Sequence, residues 1–156
     1  MRADRGESNE PLAVGDELPP LRKGPITRQH LVEWCAAEND YYPLHYDERV
    51  AERMKIPGSP IQGTLKYAMM GQLIHRWMGR NGTLKRISAR YRGMDLEGAV
   101  LIARAQVKAL EGAIVTFDIW VENEAGARST TGEAVIELVD WSGCAVTIPI
   151  GMRLNP

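Results

Sequence analysis

One segment of this 156-residue chain is apolar on nearly every side of a helix, and alternating segments follow it. Residues 61–79 contain apolar side chains at such close spacing that only a narrow polar strip remains. A helix of this kind is usually buried on most of its faces. The segments that follow alternate apolar and polar residues, which is typical of half-buried strands. The sequence therefore favours an α+β fold in which an antiparallel sheet wraps around one long central helix.

The alternating segments are separated by turn residues, and the pattern predicts no helix between them. Asn81-Gly82 precedes the first segment, Glu111-Gly112 separates the second from the third, and residues 124–127 precede the last. Consecutive strands joined by short turns pair antiparallel, because parallel neighbours need long crossover connections. The predicted strands span residues 85–92, 99–107, 113–121 and 133–139.

The chain has the length of a single domain, with a segment of different composition at each end. Residues 1–14 are charged and have no apolar period, so we expect a flexible tail. Residues 15–140 are predicted to form the domain, which includes an amphipathic helix that begins after the N-cap Thr27. Residues 141–156 form a C-terminal extension that is apolar enough to add a strand or to cover an interface.

Composition excludes several classes of protein. The net charge of -1 gives no general attraction to nucleic acid or to an anionic membrane, and no apolar run has the length of a membrane span. Cys35 and Cys144 are the only cysteines, and the N-terminus has no apolar stretch typical of a secretion signal. We therefore expect a cytoplasmic protein that binds neither nucleic acid nor membrane. The histidines and cysteines also lack metal-ligand spacing, so no metal site is predicted.

Two residues after the first helix are suited to acid–base chemistry. Asp40 and His45 would diverge on a continuous helix, but Pro43 between them predicts a break into a loop. A loop can bring a carboxylate and an imidazole together, and such a pair can take a proton from water and deliver another to carbon. The alternative is that Asp40 is a turn residue and His45 an ordinary loop histidine.

Gly63 lies where the chain enters the apolar helix, after a proline-containing approach. The free N–H groups at a helix N-terminus are suited to stabilise an oxyanion or to polarise a carbonyl group. The alternative is that the glycine only permits close packing of the helix. We therefore treat Gly63 as a candidate whose role depends on what lies beside it.

The residues around these candidates resemble a known family. The chain is similar to the MaoC-like, R-specific enoyl-CoA hydratases and 3-hydroxyacyl-thioester dehydratases, whose signature reads approximately SGDxNPLHxD followed by PIxHG. The matching positions are Asp40-x-Tyr42-Pro43-Leu44-His45-x5-Ala51 and Pro60-Ile61-Gln62-Gly63. The resemblance implies a hot-dog fold, in which a long antiparallel sheet wraps a central helix and units associate as dimers or higher oligomers.

The resemblance also implies roles for individual residues. Asp40 and His45 match the catalytic pair, and Gly63 matches the glycine whose backbone N–H holds the thioester oxygen. The implied activity is a lyase reaction on enoyl-CoA or 3-hydroxyacyl-CoA, typical of fatty acid metabolism, with no metal or redox cofactor. The chain departs from the family at positions that we expect to shape or support the pocket. These departures are Glu38-Asn39, Tyr42, Gln62 and Gly71, while Pro43 is retained.

The sequence is compatible with more than one carrier of the acyl group. Arg86, Arg90 and Arg92 alternate along one predicted strand and could bind the phosphates of coenzyme A, but a solvated strand face explains them equally well. The acyl group could also be carried by acyl carrier protein.

We expect a homodimer or a larger oligomer. The alternative is a heteromeric assembly in which this chain is a non-catalytic or half-catalytic subunit. A hot-dog thioesterase is less favoured, because residues 61–79 contain no acidic side chain.

Overall fold

The computed structural model describes residues 12–139. The helices and strands follow one another as β1 (Leu21–Lys23), α1 (Arg28–Glu38), a 3-10 turn (Pro43–His45), α2 (Glu48–Arg53), α3 (Gly63–Met78), β2 (Gly82–Tyr91), β3 (Leu101–Glu111), β4 (Ile114–Asn123) and β5 (Arg128–Leu138). Most of the predicted N-terminal tail and all of the predicted C-terminal extension lie outside the described residues, so these domain boundaries stay predictions.

The strands form one antiparallel sheet in the order β1-β3-β4-β5-β2. β3, β4 and β5 are joined by short hairpins, as the turn residues predict. Gly112 in the first hairpin has a φ of +61°, a backbone conformation that residues with a Cβ rarely adopt. The predicted α+β architecture, with an antiparallel sheet against one long helix, is confirmed.

α3 packs on the inner face of this sheet. Met70, Ile74 and their neighbours on α3 are buried in one core with the inward side chains of β3, β4 and β5. Trp77 meets Phe117 edge to face, with ring centroids 4.9 Å apart. Gly132 on β5 has to be a glycine, since a Cβ there would lie 1.9 Å from the Ser88 carbonyl oxygen on β2. The apolar character of the predicted helix is thus explained by burial.

The strand boundaries differ from the predicted ones, and one strand was not predicted. β2 begins at Gly82, three residues before its predicted start, and β3 ends at Glu111, four residues after its predicted end. β5 begins at Arg128, five residues before the predicted start, because Ser129 and Thr130 are buried polar residues that hide the apolar alternation. β1 was not predicted, since three residues are too few to show a period. It pairs with β3, with Leu21 opposite Ala103.

The helix caps explain where the chain turns before the site. Thr27 caps α1, and the side chain of His30 completes a capping box. α1 is followed by its C-cap Asn39, which has a left-handed backbone with a φ of 56°. Asp47 caps α2 by accepting a hydrogen bond from the backbone N–H of Arg49. The loop between α1 and α2 is therefore bounded by defined helix ends.

Candidate active site

Asp40 follows directly after the C-terminus of α1. Its backbone N–H donates to the Cys35 carbonyl oxygen at 3.0 Å, so the helix end fixes its position. Its carboxylate accepts one hydrogen bond, from the backbone N–H of Tyr42 at 3.2 Å. Within residues 12–139 the other carboxylate oxygen has no partner. The turn contact expected from the alternative interpretation is therefore present, and it leaves one oxygen available for chemistry.

His45 is oriented by a backbone carbonyl from a later part of the chain. Pro43 starts the 3-10 turn that ends at His45, as the predicted helix break requires. The His45 Nδ1 lies 2.8 Å from the Pro60 carbonyl oxygen. A carbonyl oxygen only accepts, so Nδ1 carries the proton, and the neutral ring has its lone pair on Nε2. His45 is thus held in the tautomer that can act as a base through Nε2.

Gly63 is the first residue of α3, so its N–H is among those that the helix leaves without an intrahelical partner. The ring of Tyr91 packs directly on this glycine, where an added Cβ would lie 2.9 Å from the ring. Both interpretations of Gly63 therefore describe real features, because the residue offers a free N–H and also permits a close approach.

Gln62 connects the start of α3 to α1. It is buried, and its side-chain amide donates to the Leu31 carbonyl oxygen at 3.0 Å and lies 3.3 Å from the Cys35 sulfur. Thr64 forms a second connection, since it accepts a hydrogen bond from Trp34 at 3.0 Å and donates to the Glu38 carboxylate. These bonds fix the N-terminus of α3 relative to the loop that carries Asp40.

The structure brings the three principal candidates to one cleft. This cleft has a volume of about 590 Å³ and is largely open to solvent. Its lining residues come from the loop after α1, the start of α3 and the end of β2, and they are Asp40, His45, Pro60, Ile61, Gln62, Gly63, Thr64, Lys66, Tyr91, Arg92, Gly93 and Met94. A carboxylate, an imidazole and a helix N-terminus thus face the same volume.

The other predicted site residues are placed differently. Tyr42 is half-exposed and lies edge-on to His45, with ring centroids 6.1 Å apart. Gly71 lies further along α3, outside the cleft lining, and a Cβ there would come no closer than 4.0 Å to Ile87. A serine would therefore fit at position 71, but its hydroxyl would not line this cleft.

The three arginines do not act as one group. Arg86 forms an ion pair with Glu133 on the outer side of the sheet. Arg90 is exposed on β2. Arg92 follows the end of β2 and lines the cleft, and within the described part of the chain its guanidinium has no hydrogen bond or ion pair. Only Arg92 is therefore placed beside Asp40 and His45.

Several cleft residues were not predicted as site residues. Lys66 is the least expected, because it is a buried lysine in a helix that is otherwise apolar on this side. A charged residue within the apolar segment 61–79 is the sequence signal that could have identified it. Tyr91 is the last residue of β2, and its ring packs on Gly63. Burial raises the pKa of the Tyr91 phenol, and repulsion of its phenolate by the Tyr67 phenolate and the Glu38 carboxylate raises it further.

Between residues 12 and 139, no group of three or more histidine, cysteine or acidic side chains is arranged to hold a metal ion. In the same range, no helix has both the length and the apolar character needed to cross a membrane.

The fold is shared with solved structures of known hydratases. An (R)-hydratase from A. caviae involved in PHA biosynthesis matches with a TM-score of 0.75 and 24% identity, over 82% of this chain and 98% of that chain. R-hydratase PhaJ1 from Pseudomonas aeruginosa matches with a TM-score of 0.74 and 23% identity, over 81% of this chain and 82% of that chain. The predicted hot-dog fold is thereby confirmed.

A heteromeric assembly is also among the similar structures. The ChsH1-ChsH2 complex from Mycobacterium tuberculosis matches with a TM-score of 0.74 and 17% identity, over 81% of this chain and 98% of that chain. At these identities the likeness concerns the fold. No curated protein matches the sequence significantly.

A family model supplies the assignment that the structural likeness alone does not. The model described as the MaoC like domain matches residues 12–129. This range includes the loop with Asp40 and His45, the whole of α3 and most of the sheet. The chain therefore belongs to the MaoC-like dehydratase family.

Proposed function

We propose that this chain catalyses the reversible hydration of 2-enoyl thioesters and the dehydration of (R)-3-hydroxyacyl thioesters. The observation that carries the proposal is the common cleft of Asp40, His45 and Gly63, in which Pro60 orients the imidazole. Family membership and the hydratases among the similar structures support the same class of reaction.

Asp40 and His45 share the proton transfers. In hydration, a water molecule bound between the free carboxylate oxygen and the His45 Nε2 loses a proton as its oxygen attacks the β-carbon. The double bond's electron pair shifts toward the thioester carbonyl, and a proton is delivered to the α-carbon. Dehydration follows the same steps in reverse. The reaction transfers no electrons to an acceptor, so we expect it to need no redox cofactor.

Gly63 stabilises the charge that develops on the substrate. As the β-carbon is attacked, the thioester oxygen takes on enolate-like negative charge. In this proposal the N–H of Gly63, at the positive end of the α3 dipole, donates a hydrogen bond to that oxygen. Donors that are fixed before the reaction stabilise the transition state without reorganising, which is why a helix N-terminus suits this step.

Arg92 is the proposed contact for the carrier. Its guanidinium has no partner among residues 12–139 and lies at the cleft, where it can bind a phosphate of coenzyme A or of the acyl carrier protein's prosthetic group. Arg86 is less suited, since Glu133 already binds it. Arg90 stays a candidate on the outer face of β2.

The direct test is conversion of a defined substrate. Incubating the purified chain with 2-enoyl-CoA substrates of increasing length should produce 3-hydroxyacyl-CoA, with one water added, in the R configuration. Chiral chromatography of the released 3-hydroxy acid identifies the configuration. Release of free CoA without hydration would instead assign the thioesterase activity.

The surface around the cleft favours association with a second protein chain. Tyr42, Tyr91 and Met94 lie around the cleft, with exposed fractions of 48%, 53% and 57%. Exposed apolar groups that cluster in this way mark interaction surfaces. We propose that a second hot-dog unit covers them. A homodimer is the first expectation, and a heteromer like the ChsH1-ChsH2 complex, with this chain as a half-catalytic or non-catalytic subunit, is the alternative.

The two assemblies predict different behaviour of the chain expressed alone. A homodimer should elute as one species with twice the mass of the chain in light-scattering chromatography, and it should be active. A subunit that requires a different partner should aggregate or remain inactive although folded.

A further inference from the structure

Lys66 and Asp95 form a buried ion pair beside the cleft. The side chains are 2% and 4% exposed, and the Lys66 ammonium lies 3.0 Å from the Asp95 carboxylate. The ammonium also donates to the Gly93 carbonyl oxygen at 3.1 Å and to the Ser129 hydroxyl at 3.3 Å. All three of its hydrogens therefore have an acceptor.

Such a pair is not the simplest way to fill a core. Desolvation of two charges offsets much of their attraction, and apolar residues of similar volume often stabilise a fold equally well. The neighbours Leu65 and Met69 on α3 are apolar and buried. An apolar side chain at position 66 would therefore also suit this face of the helix. The pair also connects two segments that line the cleft.

One connection leads to Arg92. The backbone N–H groups of Arg92 and Gly93 both donate to the Ser129 carbonyl oxygen, at 2.8 and 2.9 Å. Lys66 binds the Gly93 carbonyl and the Ser129 hydroxyl from the other side. The turn that presents Arg92 to the cleft is thus fixed to α3 through Lys66.

The other connection leads to His45. The Asp95 carbonyl oxygen accepts a hydrogen bond from the Ile61 N–H at 2.8 Å. Pro60, the residue before Ile61, forms a β-bridge with Leu96, the residue after Asp95. The carbonyl of Pro60 is the group that binds the His45 Nδ1. Asp95 therefore holds, through adjacent residues, the peptide group that orients the imidazole.

We propose that Lys66 is a positioning residue: its ion pair with Asp95 fixes the Pro60 carbonyl, and thereby the His45 imidazole, relative to Gly63 at the start of α3. This role rests on the proposed function for its catalytic consequence, but its structural consequence is independent of any activity. Loss of the pair should leave the imidazole free to change its tautomer and its distance from the substrate.

The test replaces both charges, because a single replacement would leave a buried charge unpaired. The double variant Lys66→Met/Asp95→Leu keeps the volume and removes the pair. The matched control is Arg104→Met/Glu122→Gln, which removes a half-buried ion pair on the outer face of the sheet. Circular dichroism and thermal unfolding establish that both variants are folded.

The first readout is the tautomer of His45, by nitrogen-15 NMR at a pH where imidazoles are neutral. The chain has three histidines, so His45→Asn identifies the resonances. We expect one Nδ1–H tautomer in the wild type and in the control, and a mixture of tautomers in the double variant. An unchanged tautomer in the folded double variant would contradict the positioning role, whether or not the chain hydrates any thioester.

The second readout is kinetic. We expect kcat/KM for a 2-enoyl-CoA to fall by about tenfold to a hundredfold in the double variant, because small displacements of catalytic groups cost this much. The control should keep the wild-type value. An inactive wild type with the expected NMR result would refute the proposed reaction alone, and wild-type kinetics in the double variant would refute the role of Lys66. Should this double variant not fold, Lys66→Met/Asp95→Asn, which also removes both charges, takes its place with the same readouts and criteria.

Discussion

The Nδ1 of His45 lies 2.8 Å from the carbonyl oxygen of Pro60, although the two residues are 15 positions apart in the chain. This hydrogen bond selects the imidazole tautomer that can act as a base through Nε2. It also joins the loop after α1 to the approach to α3, so the base and the helix N-terminus are fixed to each other. The proposed chemistry depends on that relationship more than on either residue alone.

Asp40 and His45 should behave as one unit in mutagenesis. We expect Asp40→Asn and His45→Gln each to lower kcat by about a hundredfold or more, since a positioned acid or base contributes on that scale. The double variant should be little worse than the worse single variant, because removing either group disables the shared proton transfer. Steady-state kinetics of the three variants measures this coupling. Fully multiplicative losses would show that the two residues act independently.

Gly63 and Gly71 provide a matched comparison on one helix. A Cβ at Gly63 would lie 2.9 Å from the Tyr91 ring, whereas one at Gly71 would lie 4.0 Å from Ile87. Gly63→Ala should cost about 1–3 kcal/mol of unfolding free energy through overpacking and should lower kcat. Gly71→Ala should be neutral or raise stability by up to about 1 kcal/mol, because alanine favours a helix. Urea denaturation measures both, and equal effects would contradict the described packing.

Arg92 and Arg86 should differ in their effect on the carrier. Arg92→Met should raise KM for an enoyl-CoA by about tenfold, in line with the loss of a charge-assisted hydrogen bond, and should leave kcat nearly unchanged. A short thioester without nucleotide phosphates should show no such increase. Arg86→Met should change neither value, because its guanidinium is bound to Glu133. A larger effect at position 86 would move the carrier site to the outer face of β2.

Glu122 should contribute to the loss of stability in acid. Burial raises the pKa of its carboxyl, but hydrogen bonds from Trp120 and Arg104 outweigh that effect and leave the pKa below its ordinary value. A carboxyl with a depressed pKa stabilises the fold above its unfolded pKa, and this contribution is lost as the pH falls through the folded pKa. Glu122→Gln should therefore flatten the acid side of the stability profile. Urea denaturation from neutral pH to pH values below the ordinary glutamate pKa measures it.

Much of the site was predictable because its signals are local. Pro43 breaks the chain after α1 and so explains how Asp40 and His45 reach one cleft, and Gly63 marks the start of α3. The apolar run of residues 61–79 and the alternating strands predicted the architecture. These signals depend on residues that are close in the sequence, and the tertiary packing is consistent with them.

The remaining features depend on contacts between distant segments. Lys66 reads as an exception in an apolar helix, and its meaning appears only when Asp95, 29 positions away, is placed against it. The same holds for β1, a strand of three residues that exists because β3 offers an edge. Arg92 likewise belongs to the same alternating pattern as Arg86 and Arg90, but it lies beyond the end of β2 and lines the cleft. Periodicity does not encode such relationships.

The central claim is that Asp40 acts chemically in this cleft, and one comparison tests it most directly. The initial rate of loss of enoyl-thioester absorbance should be measured with crotonyl-CoA and longer 2-enoyl-CoA substrates for the wild type and for Asp40→Asn. Asp118→Asn serves as the control, because Asp118 is an exposed aspartate on β4. We predict hydration by the wild type and the control and a loss of about a hundredfold or more in Asp40→Asn. Equal rates for all three proteins would contradict the assignment of Asp40.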